Sequence, residues 1–323
     1  MSPQPPSDIL LVHNGSSRTG RTAYARAAGI VRAGGYRPVP VAAPTAAELS
    51  RRLVAVLRAD SPRIAAVVAV GGDGMAHLVL QCLDALRRQG VDFPFGLVPA
   101  GSGNDLARFH GIPVGDVERA AGRVLRGLES EPCSTDMVRV TCADGTEHLC
   151  ATAVCLGLDA RVNARANRWS RVKVSAKYAV ALAVEALSMR ARRYDLSWTS
   201  PDGMLHATDR DLSFLVLANT SSIGGGLTIL PDADPSDGAL DLFMVADVDP
   251  LRLVWRFPQL FRGTHLALPQ VSVEPAVSAR VAVHGAATEG EGTHEAAAYG
   301  DGERLGPLPV SLEVVPAAVQ LLF

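Results

Sequence analysis

Apolar residues follow two different rhythms along this chain. Over roughly the first 130 residues, short unbroken apolar runs at 9–12, 64–70 and 95–98 predict strands buried on both faces of a parallel sheet. A weaker run at 38–42 predicts another strand. Between them, residues 22–34, 46–58 and 75–88 repeat apolar positions at helical spacing. In the last of these, Met75, Leu78, Val79, Cys82, Leu83 and Leu86 form one stripe. A further helix restarts at Asp105. This alternation predicts a doubly wound, Rossmann-like α/β domain over residues 1–132.

After residue 132 the rhythm changes. Residues 136–142 and 147–155 read as a hairpin around Asp144-Gly145. A long helical segment is expected over 161–190. Short strand-like runs follow at 196–199, 205–219, 239–246, 279–284, 296–299 and 310–315. These predict a mostly antiparallel β-sandwich domain over 133–316, with residues 317–323 packing back on the first domain. Residues 285–294 read as a polar, acidic loop.

Composition narrows the class. The 323 residues are 48% hydrophobic, which suits two folded domains and excludes a disordered chain. With 31 basic and 33 acidic side chains the formal net charge is −2, which argues against a nucleic-acid coat. The cysteines (Cys82, Cys133, Cys142, Cys150, Cys155) are odd in number and lack a C-x-x-C pair, so reduced cytosolic thiols are expected. Residues 1–8 contain no apolar signal region, and the apolar stretch 178–189 is short and interrupted by Glu185. A cytoplasmic protein, at most peripheral to a membrane, is expected. Charge is segregated: 161–193 carries nine basic residues against the single acid Glu185, and 285–303 carries five acids.

Three glycine-rich turns fall at strand ends that lead into helices, where α/β sheets bind phosphate. The first, Gly15-Ser16-Ser17-Arg18-Thr19-Gly20-Arg21-Thr22, fits a P-loop except that Arg21 stands where lysine is required. A plain strand-to-helix turn and a different nucleotide-facing loop are the other readings. The second is Gly71-Gly72-Asp73-Gly74, in which Asp73 suits either a helix cap or a Mg²⁺-bound phosphate. The third is Pro99-Ala100-Gly101-Ser102-Gly103-Asn104-Asp105. Two such loops on neighbouring parallel strands favour a shared phosphate cradle more than either loop alone would.

The second and third loops, the latter continuing through Leu106-Ala107-Arg108, resemble the catalytic domain of the diacylglycerol kinase and sphingosine kinase superfamily. Gly224-Gly225-Gly226, Pro231-Asp232-Ala233, Asp237-Gly238-Ala239-Leu240-Asp241 and Asp301-Gly302-Glu303 resemble that family's later segments, in order. The resemblance is greatest to the soluble bacterial lipid kinases. It implies two domains enclosing a cleft and an ATP- and Mg²⁺-dependent kinase acting on a lipid hydroxyl, most naturally that of diacylglycerol.

Residue by residue, the resemblance implies that Asn14, Ser17, Arg18 and the turn up to Arg21, together with Thr45, meet the nucleotide. Gly71, Gly72 and Gly74 would cradle phosphates beside Gly101, Ser102 and Asn104. Asp73 and Asp105 would organise Mg²⁺–ATP, and Glu303 would be the general base. Read without the resemblance, Glu303 equally closes a hairpin. Arg108 and Asp136 match a supporting charged pair, or an ordinary surface pair. Asp237, with the carbonyls of Pro235 and Ala239, matches a structural metal position, or a simple turn. Met75 and Leu78 replace the family's usual Thr and Glu, Gly15 replaces the usual Pro, and His77 matches the sphingosine kinase branch. A sphingoid-base or other lipid kinase, an NAD-kinase-like enzyme and a non-catalytic nucleotide or lipid sensor are the alternatives. The expected partners are a lipid, an anionic headgroup surface met through 161–193, and a second copy in a homodimer, with no nucleic acid.

Overall fold

The computed structural model describes residues 7–131, 133–156, 191–249, 264–284 and 297–323. Its contacts divide the chain into two units, Met1–Thr135 with Ala317–Phe323, and Asp136–Pro316.

In the first unit β1 (Asp8–Asn14), α1 (Arg18–Ala33), β2 (Arg37–Ala43), α2 (Ala46–Ala59), β3 (Ile64–Gly71), α3 (Asp73–Arg87) and β4 (Phe95–Pro99) alternate strictly. The strands pair in parallel in the order β2-β1-β3-β4, and Leu321 and Leu322 add beside Phe95 and Gly96. Ile9, Val12, Val67, Val70 and Phe95 have no exposed surface, as strands covered on both faces require. Helices start where the sequence supplies caps: Ser17 accepts from the Gly20 N–H and Thr45 from the Glu48 N–H. The chain leaves β1 towards β2 and then returns across it to β3. The connections therefore diverge at the carboxyl ends of β1 and β3, the switch point at which such sheets bind ligands.

The helix expected to start at Asp105 is short, α4 (Asp105–Phe109), and a second, α5 (Val117–Glu129), follows it. Gly111 and Gly115, both with positive φ, and Pro113 separate them. His110, in this connection, lies against Phe323, whose ring also carries Arg123. Burial, then the Arg123 charge, lowers the His110 pKa from 6.5 to about 4. A proton therefore binds the unfolded chain in preference. Stability is whole above pH 6.5 and falls as pH drops towards about 4, by at most about 3 kcal/mol. His110→Gln is expected to lose less melting temperature than the wild type between pH 7 and 4.5; parallel curves would refute this.

The second unit is the β-sandwich. Its strands are β5 (Cys133–Thr141), β6 (Glu147–Cys150), β7 (Ala153–Leu156), β8 (Arg192–Thr199), β9 (Leu205–Ala218), β10 (Ser222–Ile223), β11 (Leu227–Thr228), β12 (Leu240–Ala246), β13 (Val271–Ala276), β14 (Ser278–Val283), β15 (Ala297–Gly300), β16 (Glu303–Pro307) and β17 (Val310–Leu322). Pairing within this unit is antiparallel, with β9 central between β8, β7 and β12. Alternate residues of β9 feed two apolar clusters, Leu215 and Leu217 in one, Val216 and Ala218 in the other.

Several boundaries differ from expectation. The apolar run at 147–155 is not one strand, because Ala151 and Thr152 break it between β6 and β7. β13 escapes the pattern because Pro275 and Glu274 are exposed on an edge strand that pairs only with β12. β17 runs past residue 315 to Leu322. The helix expected over 161–190 lies outside the described residues, as does the acidic loop 285–294. No helix among the described residues is long and apolar enough to cross a membrane. None of the five cysteines forms a disulfide, and only Cys133 is exposed.

Candidate active site

Strand pairing brings two of the glycine turns together. Gly71 pairs with Pro99, and the Ala100 N–H donates to the Gly71 carbonyl at 2.8 Å. The loops then touch backbone to backbone. A Cβ on Gly101 would lie 2.3 Å from the Gly72 Cα, and one on Gly103 would lie 2.5 Å from Asp73 Oδ2.

Asp73 clasps the pair. Its Oδ2 accepts from the Asn104 N–H at 2.6 Å and its Oδ1 from the Asp105 N–H at 2.8 Å. Asn104 is buried in the left-handed region, at φ 58°, and its amide bonds both the N–H and the carbonyl of Gly101. Arg108 Nε donates to the Gly103 carbonyl at 3.0 Å. Two loops distant in sequence thus form one braced element, with Gly101 and Ser102 exposed on it. The carboxylate at the start of α3 also complements the helix dipole there.

The first turn is held mainly by its own atoms. Asn14 Oδ1 accepts from the Ser16 N–H at 2.9 Å, Ser17 Oγ caps α1, and Arg21 Nη1 donates to the Gly15 carbonyl at 2.8 Å. Arg18 is exposed on the first turn of α1. This turn ends β1, next to β3 and so next to the braced loops. Thr45 lies one strand further out, at the end of β2, where it caps α2.

In the second unit Asp301 and Gly302, at φ 52° and 82°, form the two-residue turn between β15 and β16, with Gly300 opposite Glu303. Asp301 is held firmly. It accepts from the Ala151 N–H at 3.0 Å, the Thr152 N–H at 2.8 Å and the Thr152 hydroxyl at 2.7 Å. Glu303 emerges directly after this anchored turn and is exposed. Glu303 thus closes the hairpin with its backbone, opposite Gly300, while the side chain that anchors the turn is that of Asp301.

A second cluster surrounds Asp237. Asp237 Oδ1 accepts from the Ala239 N–H at 2.9 Å. Asp136, which is buried, accepts from the Gly238 N–H through Oδ2 at 2.8 Å and donates its own N–H to the Pro235 carbonyl at 2.7 Å. Burial first, then the Asp237 and Asp232 charges, push the Asp241 carboxyl above its ordinary range. Carboxylate and carbonyl oxygens gathered beside like charges are the donor type that a small divalent cation such as Mg²⁺ takes. The sequence did not reveal Ala151 and Thr152, which hold the Asp301 turn, or Asn219, which bonds the carbonyls of both Ala151 and Asp136. Asn219 was legible only as the first polar residue after the apolar end of β9.

Comparison with known proteins places the chain. The diacylglycerol kinase catalytic domain model matches residues 8–155, and the YegS C-terminal NAD kinase β-sandwich-like domain model matches residues 152–323. A protein named diacylglycerol kinase from Mycobacterium tuberculosis (strain CDC 1551 / Oshkosh) is 35% identical over 260 residues, covering 80% of this chain and 76% of that protein. A protein of Stenotrophomonas maltophilia (strain K279a) named "Probable lipid kinase YegS-like" is 28% identical over 207 residues, 64% of each. A crystal structure of a diacylglycerol kinase from Bacillus anthracis str. Sterne has the same fold, with a TM-score of 0.69 at 13% identity over 98% of this chain and 97% of that one. The chain belongs to the family of lipid kinases built from these two domains, and it is accordingly a phosphotransferase, for which ATP is the expected donor.

Proposed function

We propose that the protein transfers the γ-phosphoryl group of ATP, with Mg²⁺, to the free hydroxyl of diacylglycerol, giving phosphatidic acid and ADP. The observation that supports this best is the Asp73 clasp, which fuses the loops after β3 and β4 into one glycine-lined surface at a helix start. Phosphoryl transfer needs positioning and charge neutralisation more than covalent chemistry, and a braced backbone supplies positioning.

In this reading Gly71, Gly72, Gly74, Gly101 and Ser102 face the phosphates, and Asn104 holds its loop in shape. Asn14, Ser17 and Arg18 border the nucleotide, with Thr45 at the outer end of the row. Asp73 keeps the cradle closed and Asp105 offers a carboxylate to the Mg²⁺ of ATP, while Asp237, with the Pro235 and Ala239 carbonyls, holds a second, structural metal. Bound Mg²⁺ would neutralise phosphate oxygens. Glu303 accepts the hydroxyl proton as the oxygen bonds to phosphorus and the bond to ADP breaks. Arg108 braces the Gly103 loop and Asp136 braces Gly238, each supporting its own part of the machinery.

The acceptor lies in a bilayer, and the basic stretch 161–193 supplies charge suited to anionic headgroups. Residues 161–190 of it lie outside the described residues, and Arg193 is paired with Asp209.

Radiolabelled ATP, offered with diacylglycerol, sphingosine, NAD and a total lipid extract, tests the substrate. Labelled phosphatidic acid is expected; label only in sphingosine phosphate or NADP, or in nothing, overturns the reading. The metal assignment has its own test. Mg²⁺ is expected to raise the melting temperature of the wild type but not of Asp237→Asn, and equal shifts would remove Asp237 from the site.

A further inference from the structure

Ala151 and Thr152, the two residues that interrupt β6 and β7, have every backbone polar group engaged. Their N–H groups donate to Asp301 at 3.0 and 2.8 Å. The Ala151 carbonyl accepts from Asn219 Nδ2 at 3.0 Å, and the Thr152 carbonyl accepts from the N–H groups of Asn219 and Thr220 at 2.8 and 3.1 Å. The same Asn219 Nδ2 donates to the Asp136 carbonyl at 2.8 Å. Asn219 thus joins the peptide that holds Asp301 to the residue that holds Gly238.

This junction is closed to water: Asn219 is 2% exposed, Asp136 4%, Thr152 6% and Thr220 0%. Asn219 Oδ1 is buried without a hydrogen-bond partner. A buried acceptor left unmet is costly, and an apolar side chain of similar size would avoid the cost. The amide is held this way round because two carbonyl oxygens converge on its nitrogen. Without that nitrogen the two would face each other as like dipoles, and the Ala151-Thr152 peptides would have to turn. Those peptides supply the donors that orient Asp301, two residues before Glu303.

We propose that Asn219 is a positioning residue for phosphoryl transfer, setting Glu303 through Ala151, Thr152 and Asp301. The proposal rests on the reading of Glu303 as the base.

The test is a double-mutant cycle on the intact protein, with ATP and dioleoylglycerol in mixed micelles. Asn219→Ala is expected to lower kcat about 30-fold and Thr152→Val about fivefold, with both KM values within about threefold of wild type. In a Glu303→Gln background neither should add more than about a twofold loss, because the group they position is gone. Losses as large in that background as in the wild type would overturn the proposal and leave Glu303 as the base, as would an unchanged kcat in both single variants. If Asn219→Ala does not fold, Thr152→Val carries the cycle, since it removes one donor to Asp301 and keeps the shape. Wild-type rates for Glu303→Gln alone would overturn the base assignment and the positioning role together.

Discussion

Gly101→Ala is expected to raise the KM for ATP by about 10²-fold, because the loss of a well-placed phosphate contact set is worth several kcal/mol. The new methyl group would lie 2.3 Å from the Gly72 Cα and 2.9 Å from its nitrogen. Both neighbours are backbone, so no side chain can swing away and the loops themselves must part. Parting them pulls the Asn104 and Asp105 N–H groups off Asp73, which is what holds the two loops together. Overpacking of this kind costs about 1–3 kcal/mol in stability as well. Gly29→Ala is the control: it lies in α1, meets nothing within 4 Å, and is expected to stabilise by up to about 1 kcal/mol with ATP affinity unchanged. Titration of both variants with a non-hydrolysable ATP analogue decides. Wild-type affinity in Gly101→Ala would mean that the loop pair does not meet the nucleotide.

What could be read from the chain and what could not divide along a physical line. Strands β1, β3 and β4 are unbroken apolar runs, and the turns after β3 and β4 carry glycines where backbone must approach backbone, so both are written locally. The break at Ala151-Thr152 is not, since residues 149–156 are almost wholly apolar and small; the interruption is imposed by Asp301, 150 positions away. Asp73 could be singled out by its place among glycines, but the sequence offers only a cap or a metal-bound phosphate for it, not a clasp. The direction of its carboxylate depends on two N–H groups from another loop. The end of the helix that starts at Asp105 is legible in Gly111, Pro113 and Gly115, whereas α5, beyond them, formed no part of the expected pattern.

Glu303→Gln is expected to cut kcat by about 10²–10⁴-fold while leaving both KM values near wild type, the usual contribution of a positioned general base. The amide keeps the size and hydrogen-bonding capacity of the side chain but cannot take a proton at neutral pH. The fold should not suffer, because the turn's hydrogen bonds run through Asp301 and Glu303 is exposed. Asp301→Asn makes the opposite prediction. It puts an amide hydrogen against donors at Ala151 or Thr152, so it should lower the melting temperature as well as the rate. The size of the Glu303 effect also bears on the chemistry. A loose, metaphosphate-like transition state takes the proton late, so a loss near the lower bound would mark such a path, and one near the upper bound would mark proton removal well advanced as phosphorus is attacked. Undiminished turnover by Glu303→Gln, with diacylglycerol as acceptor, would show that the proton leaves by another route and that the carboxylate after the Asp301 turn serves some purpose other than catalysis.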